Sequence, residues 1–243
     1  MAYALFHMWG PYRKEIIASH NFYVEQAQKR LLSQFQNMEA EADKYREEWL
    51  SSYSRYFNPD GDDPAVRAYN EGIEFYQMLE NMLNRTRLSI VAGIFHEWDK
   101  QLRSWILTEI NHWHYGDEVK RATWRVNFGD IIDLLEAIDW PIRSRSYYAS
   151  LDRCRLVVNA YKHGNGNAFE KLKTEHPEFI ETFGDTDSSY LKYADHTKLK
   201  VDGTHITEFS DAIIEFWKDV PEYFYEKESL NFPDWFMSAY SKD

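Results

Sequence analysis

The stretch RCRLVVNAYKHGNGN, residues 153–167, sets polar side chains into an apolar run at a spacing of four: Arg155, Asn159 and His163. Four residues is about one helical turn, so all three project from one face of a helix, with Lys162 beside the last of them. A guanidinium is a permanent cation whose planar fork matches phosphate, and a lysine ammonium is a compact point charge. An imidazole can exchange a proton near neutral pH, and an amide can orient either partner. Cleavage of a phosphodiester by its neighbouring 2′-hydroxyl needs charge stabilisation and proton transfer, and no metal. The same side chains also have a structural reading. His163 and Lys162 complement the negative end of a helix dipole, while Arg155 and Asn159 satisfy backbone groups or a carboxylate on a neighbouring helix, such as Glu97.

Charge sharpens the choice. Residues 142–163 carry five bases (Arg143, Arg145, Arg153, Arg155 and Lys162) and one acid, Asp152, whereas the whole chain carries a net charge of −12. Such a field repels nucleic acid at long range, so any contact with it must use a local basic patch. Other chemistries find little support. Glu109 and His112 form one Glu-x-x-His pair, but a di-iron bundle needs a second. Cys154, the single cysteine, lies in an apolar run and reads as packing. No Gly-x-Ser-x-Gly elbow or phosphate loop is present, and GNGN at 164–167 follows a helix, where Gly164 suits a stop. The acids Glu39, Glu41, Asp43, Glu47 and Glu48 read as a solvated helix face. No metal and no cofactor are expected.

The elements that must position the ladder are helical. Residues 13–57 contain no Pro or Gly, and Val24, Ala27, Leu31, Phe35, Met38, Ala42, Tyr45, Trp49, Tyr53 and Tyr56 recur at three- and four-residue spacing. The spacing predicts one long amphipathic helix, turned back at NPDGDDP into a second from Pro64 to His112 with weak points at Gly72 and Gly93. The two form a long antiparallel hairpin, about 13–112. A short helix over GDIIDLLEAIDWP follows, then the ladder helix from Ser144 to Lys162, a short helix over 168–181, and a last one carrying Ile213, Ile214, Phe216, Trp217, Val220 and Phe224. KLKVDGTHIT is the single plausible β-hairpin, turning at Asp202–Gly203. The expected fold is all-α: an elongated helical bundle, one mostly helical domain over 1–243, with at most one small β-hairpin. A lone cysteine, no signal-peptide pattern and no long apolar run point to a soluble cytoplasmic protein.

RLVVNAYKHGNG, late in an all-helical chain, resembles the signature region of the HEPN superfamily, whose bundle-like region would cover about 85–225 here. The usual signature is an Arg separated by four to six residues from a His; here seven lie between Arg155 and His163. The resemblance implies a metal-independent endoribonuclease in a toxin or antiphage setting, working as a homodimer on RNA. It casts His163 as the group exchanging the proton of the attacking hydroxyl and Arg155 as the phosphate-charge stabiliser, assisted by Lys162. Asn159 would keep the pair in register, and Glu97 on SIVAGIFHEWDKQL, with Asp99 second, would tether a cation. The family also contains nucleotide-binding and scaffold members. The alternative expectation is therefore a non-enzymatic interaction protein that docks a protein partner through its long hairpin, with Trp49, Tyr53 and Tyr56 on one stripe.

Overall fold

The computed structural model describes residues 3–53, 63–182, 188–227 and 230–243, without the side chains of 188–190. The mostly helical reading holds. In chain order the elements are β1 (Ala4–His7), α1 (Gly10–Arg30), α2 (Met38–Tyr53), α3 (Pro64–Ile110), α4 (Asp117–Arg125), α5 (Phe128–Ala137), α6 (Tyr148–His163), α7 (Asn167–Glu175), α8 (Ser188–Tyr193), α9 (Gly203–Asp219), β2 (Tyr223–Tyr225) and α10 (Asp234–Tyr240). Among the described residues, no helix is long and apolar enough to cross a membrane.

The spine is α3, an unbroken helix of 47 residues opened by Pro64 and capped by the Asp63 carboxylate on the Ala65 N–H. Its two halves differ. From Pro64 to Arg87 only Ala68 and Gly72 are buried, whereas from Leu88 onward Ile90, Val91, Ile94, Phe95, Trp98, Leu102, Trp105 and Ile106 are. The first half therefore pairs mainly with α2, with Asn84 near its end bonded to the backbone of Leu199 and Val201, and the second runs through the core. Neither glycine breaks it. Gly72 lets α2 approach, since a methyl there would meet Arg46 Cβ at 3.2 Å, and Gly93 faces the Tyr23 hydroxyl.

The expected continuous helix over 13–57 is divided instead. After Arg30 the chain passes through a 3₁₀ turn, Leu32–Phe35, before α2 begins. Ser33 turns its hydroxyl back onto the Lys29 carbonyl, and Ser, Gln and Asn compete locally with backbone bonding in just this way. The break lets α1 bury Ile16, Val24 and Ala27 against α9 and α3, while α2 follows the protruding half of α3. Tyr45 stacks on Phe75 at 4.5 Å, and Trp49 on Tyr53 at 4.9 Å. Tyr56, and most of the NPDGDDP turn, lie outside the described residues.

The β structure also differs from that expected. KLKVDGTHIT is not a hairpin: Lys198 ends a 3₁₀ turn, Leu199 makes an isolated bridge to Ile180, and Asp202 caps α9 through the His205 N–H in a capping box. The Asp-Gly pair thus starts a helix, because the Asp carboxylate satisfies orphan N–H groups that a turn would leave to solvent. The two-stranded sheet joins β1 to β2 antiparallel, with Phe6 opposite Phe224, so Phe224 belongs to a strand and not to the last helix.

Four tryptophans (Trp98, Trp105, Trp140 and Trp217) are fully buried. Trp98 meets Phe216 edge-on at 5.0 Å, and Trp140 meets the same ring at 5.0 Å. Each such side chain removes about 150–250 Å² from water, a gross gain of roughly 4–6 kcal/mol. This aromatic core, formed by α3, α5, α6 and α9, fixes the position of the ladder helix.

Candidate functional site at the end of α6

Leu151, Cys154, Leu156, Val157, Val158 and Ala160 are the buried positions of α6, and α3, α7 and α9 cover them. That rotation leaves Arg155 and Asn159 half-buried and puts Lys162 and His163 in solvent. The Tyr161 hydroxyl meets Ser89 Oγ at 3.0 Å and holds this end of α6 on α3. The helix then stops. Gly164 has φ +69 and ψ −137, a region open essentially to glycine alone, and its N–H donates to the Ala160 carbonyl at 2.9 Å.

The ladder is present as a shared face, but its partners differ from those expected. Arg155 donates from Nε to Asp152 Oδ1 at 2.8 Å, and its Nη2 lies 2.7 Å from the same oxygen. The other Asp152 oxygen lies 3.9 Å from Lys171 of α7. Glu97 pairs with Lys100 at 3.1 Å, both side chains well exposed, and Asp99 pairs with Arg103 at 2.9 Å. Among the described residues, then, the tether on Arg155 comes from its own helix and not from Glu97. Asn159 makes no side-chain hydrogen bond within that set.

The basic excess counted along the sequence is largely neutralised in space. Arg143 pairs with Asp133 and Glu136, Arg145 with Asp219, Arg153 with Glu208, and Arg155 with Asp152. Most of these acids belong to α5 and α9, which the linear count does not see. Of the five bases, Lys162 alone has no carboxylate partner among the described residues.

Two neighbours enter the site that the sequence reading did not name. His96, on α3 next to Glu97, has its basicity lowered first by partial enclosure and then by the positive charge of Lys162, with Lys100 adding and Asp99 opposing. The Lys162 ammonium on α6 thus acts on the His96 ring across the packing of α3 on α6. The second is His196, in the 3₁₀ turn His196–Lys198. Its backbone N–H donates to Asn165 Oδ1 at 2.7 Å, and its Nδ1 lies 3.1 Å from that oxygen. A methyl on Gly164 would touch the His196 ring at 3.5 Å. The Asp195-x-Thr197 pattern, an Asx turn in which the carboxylate accepts from Thr197 N–H, was the sequence signal for this turn.

The remaining candidates have structural surroundings. Burial pushes the Cys154 thiol far up, away from the reactive thiolate. Glu109 accepts the His7 backbone N–H at 2.8 Å. Among the described residues, no group of three or more His, Cys, Asp or Glu is placed to hold a metal ion. A polar cleft of about 810 Å³ opens between α3 and the segment 178–205, with Arg87, Lys200 and His205 in its wall beside Glu178, Glu181 and Asp202. Comparison with known protein families, curated proteins and solved structures finds no match to this chain.

Proposed function

We propose that the chain is a HEPN-like, metal-independent endoribonuclease, in the toxin or antiphage setting its signature implies, with the exposed end of α6 as its site. The observation that carries this reading is the grouping of Lys162 and His163 in solvent at an abrupt glycine stop. In this mechanism the half-buried Arg155 faces phosphate with the guanidinium edge that Asp152 leaves unused, and Lys162 adds a mobile charge. His163 exchanges a proton with the reacting oxygens, and Asn159 lies one turn away with its amide uncommitted. Glu97, paired with Lys100, acts at the rim. A homodimer joining two α6 ends would double the positive charge at the site of an acidic particle. The test compares wild type with His163→Ala and Arg155→Ala on total RNA and in cell growth, with circular dichroism as the folding control. Loss of cleavage and toxicity in both variants supports the reading; identical behaviour of three folded proteins ends it.

A second reading has its own observation. The arm formed by α2 and the first half of α3 buries only Ala42, Ala68 and Gly72, and leaves Tyr69, Ile73, Met78 and Met82 exposed, with Tyr69 and Ile73 beside Glu39 and Asp43 of α2. An exposed apolar surface of this kind is where a protein partner docks. On this reading the chain is a scaffold, and Trp49→Ala or Tyr53→Ala changes the assembly size in light scattering. An unchanged size counts against it.

A further inference from the structure

We infer that His196 is the second catalytic imidazole of the α6-end site, held by Asn165 with its proton on Nδ1 and its Nε2 lone pair turned to the substrate. The inference rests on the ribonuclease reading and gives each protomer its own pair of imidazoles. Transesterification needs two proton-transfer groups, one to take the 2′-hydroxyl proton and one to protonate the leaving 5′-oxygen; each α6 carries one histidine, so within a protomer the second comes from another part of the chain.

The tautomer follows from hydrogen-bond direction. The His196 backbone N–H can only donate, so the Asn165 atom 2.7 Å from it is the carbonyl oxygen and not the amide nitrogen. That same oxygen lies 3.1 Å from His196 Nδ1. A carbonyl oxygen only accepts, so Nδ1 carries the hydrogen. Neutral imidazole has one N–H, which leaves Nε2 as an acceptor. Nε2 has no protein partner among the described residues, and the side chain is exposed. The positioning device is short. Gly164, immediately after His163, turns the chain with positive φ, and Asn165, the next residue, grips the His196 turn. GNG thus does more than end a helix: it brings a second imidazole, distant in sequence, against the residue that follows His163. Asp195 and Lys198 flank His196 in its own turn, and the Asp195 carboxylate is committed to Thr197. The polar cleft begins at the same turn, with Thr197 and Lys198 in its wall, and offers a path for the strand leading to the site.

His196 Nε2 takes the 2′-hydroxyl proton as that oxygen attacks phosphorus. The bond from phosphorus to the 5′-oxygen breaks, and protonated His163 gives its proton to that oxygen. The products are a 2′,3′-cyclic phosphate and a 5′-hydroxyl. His196 is the acceptor and His163 the donor, while Asn165 is a positioning residue.

The experiment uses the full chain, labelled with ¹⁵N-histidine, and a single-stranded oligoribonucleotide with its 2′-deoxy counterpart as control. Long-range ¹H–¹⁵N correlation should show His196 protonated at Nδ1 in wild type and a mixture of tautomers in Asn165→Ala. Cleavage should fall at least about 100-fold in His196→Ala, the usual contribution of a proton-transfer group, and by less in Asn165→Ala, with melting temperatures unchanged because His196 is exposed. Wild-type cleavage retained in His196→Ala overturns this assignment and leaves the ribonuclease reading standing. An Nε2–H tautomer in wild type also overturns it, whatever the activity. No cleavage by wild type removes the ribonuclease reading and this role together, and is told apart because all variants are then equally inert.

Discussion

Gly164→Ala probes the helix stop on which the candidate site depends. At φ +69 and ψ −137 the backbone occupies a region that side chains rarely enter, and such placement costs of order 1–3 kcal/mol for a non-glycine residue. The added methyl would lie 3.5 Å from the His196 ring, an ordinary contact, so the backbone penalty should act nearly alone. At about 2–4 °C per kcal/mol for a chain of this size, a cost near 2 kcal/mol lowers the melting temperature by about 4–8 °C. Asparagine separates two accounts of the position. It tolerates the ordinary left-handed helical region, but ψ −137 lies outside that region, so Gly164→Asn should cost about as much as alanine. Gly203→Ala is the control: it opens α9 with nothing near a new methyl, and should be neutral or slightly stabilising. Differential scanning fluorimetry reads all three. A Gly164→Ala protein melting within a degree of wild type, or an asparagine variant that alone restores stability, would refute the reasoning.

Removing the charge in Lys162→Ala should raise the basicity of His96, since enclosure lowers it first and Lys162 second; a histidine NMR titration that does not move upward places the lysine elsewhere. Arg103 is buried and binds Asp99 and the carbonyls of Thr123 and Val126, so Arg103→Ala should cost about 3–5 kcal/mol by stranding those acceptors, measured by urea unfolding. Enclosure alone would push the Asp243 carboxyl up, yet bonds from the N–H groups of Glu118 and Val119 and from His114 hold it below the ordinary range. Its contribution is therefore present above the ordinary carboxyl range and lost as pH falls through its lowered value. Asp243→Asn should melt earlier than wild type at neutral pH, with the gap closing in acid.

The sequence was most legible where a single helix decided the outcome. The apolar face of α6 and its glycine stop follow from spacing and residue type, because a helix imposes one geometry on its own residues; its start does not, for Ile142–Ser144 forms a separate 3₁₀ turn, Arg145 is extended, and α6 begins at Tyr148 and not at Ser144. Legibility failed wherever a partner came from afar. Phe6 and Phe224 lie at opposite ends of the chain, so no local pattern announces their pairing. Ser33 broke a continuous apolar stripe by a hydroxyl contact that periodicity does not register. Asp202-Gly203 carries the same letters whether it turns a hairpin or caps a helix; the His205 ring, which accepts the Asp202 N–H, decides between them. The candidate site shows the same division. Arg155, Asn159, Lys162 and His163 were proposed from spacing, whereas His196 is brought to that end of α6 only by tertiary folding.

That division bears directly on how the protein would hold RNA. A linear count of five bases and one acid describes a cationic stripe, but four of the bases already face carboxylates. A guanidinium already paired with a carboxylate neutralises a phosphate less fully, and so releases fewer of the counterions condensed on the nucleic acid. Single-stranded nucleic acid loses affinity with salt at a logarithmic slope of about −0.7 per phosphate neutralised. If Lys162 and the free edge of Arg155 were the contacts of each protomer, the slope would be roughly −1.4; if all five bases were engaged, it would be roughly −3.5. Fluorescence anisotropy of a labelled oligoribonucleotide, titrated between low and moderate salt, distinguishes these values. A shallow slope that falls by about half in Lys162→Ala is the expected result. A slope near the steeper value would mean that binding pulls the arginines from Asp133, Glu136, Asp219 and Glu208. The core-facing ends of α5 and α9 would then have to move, and the site would be induced by RNA instead of built in advance.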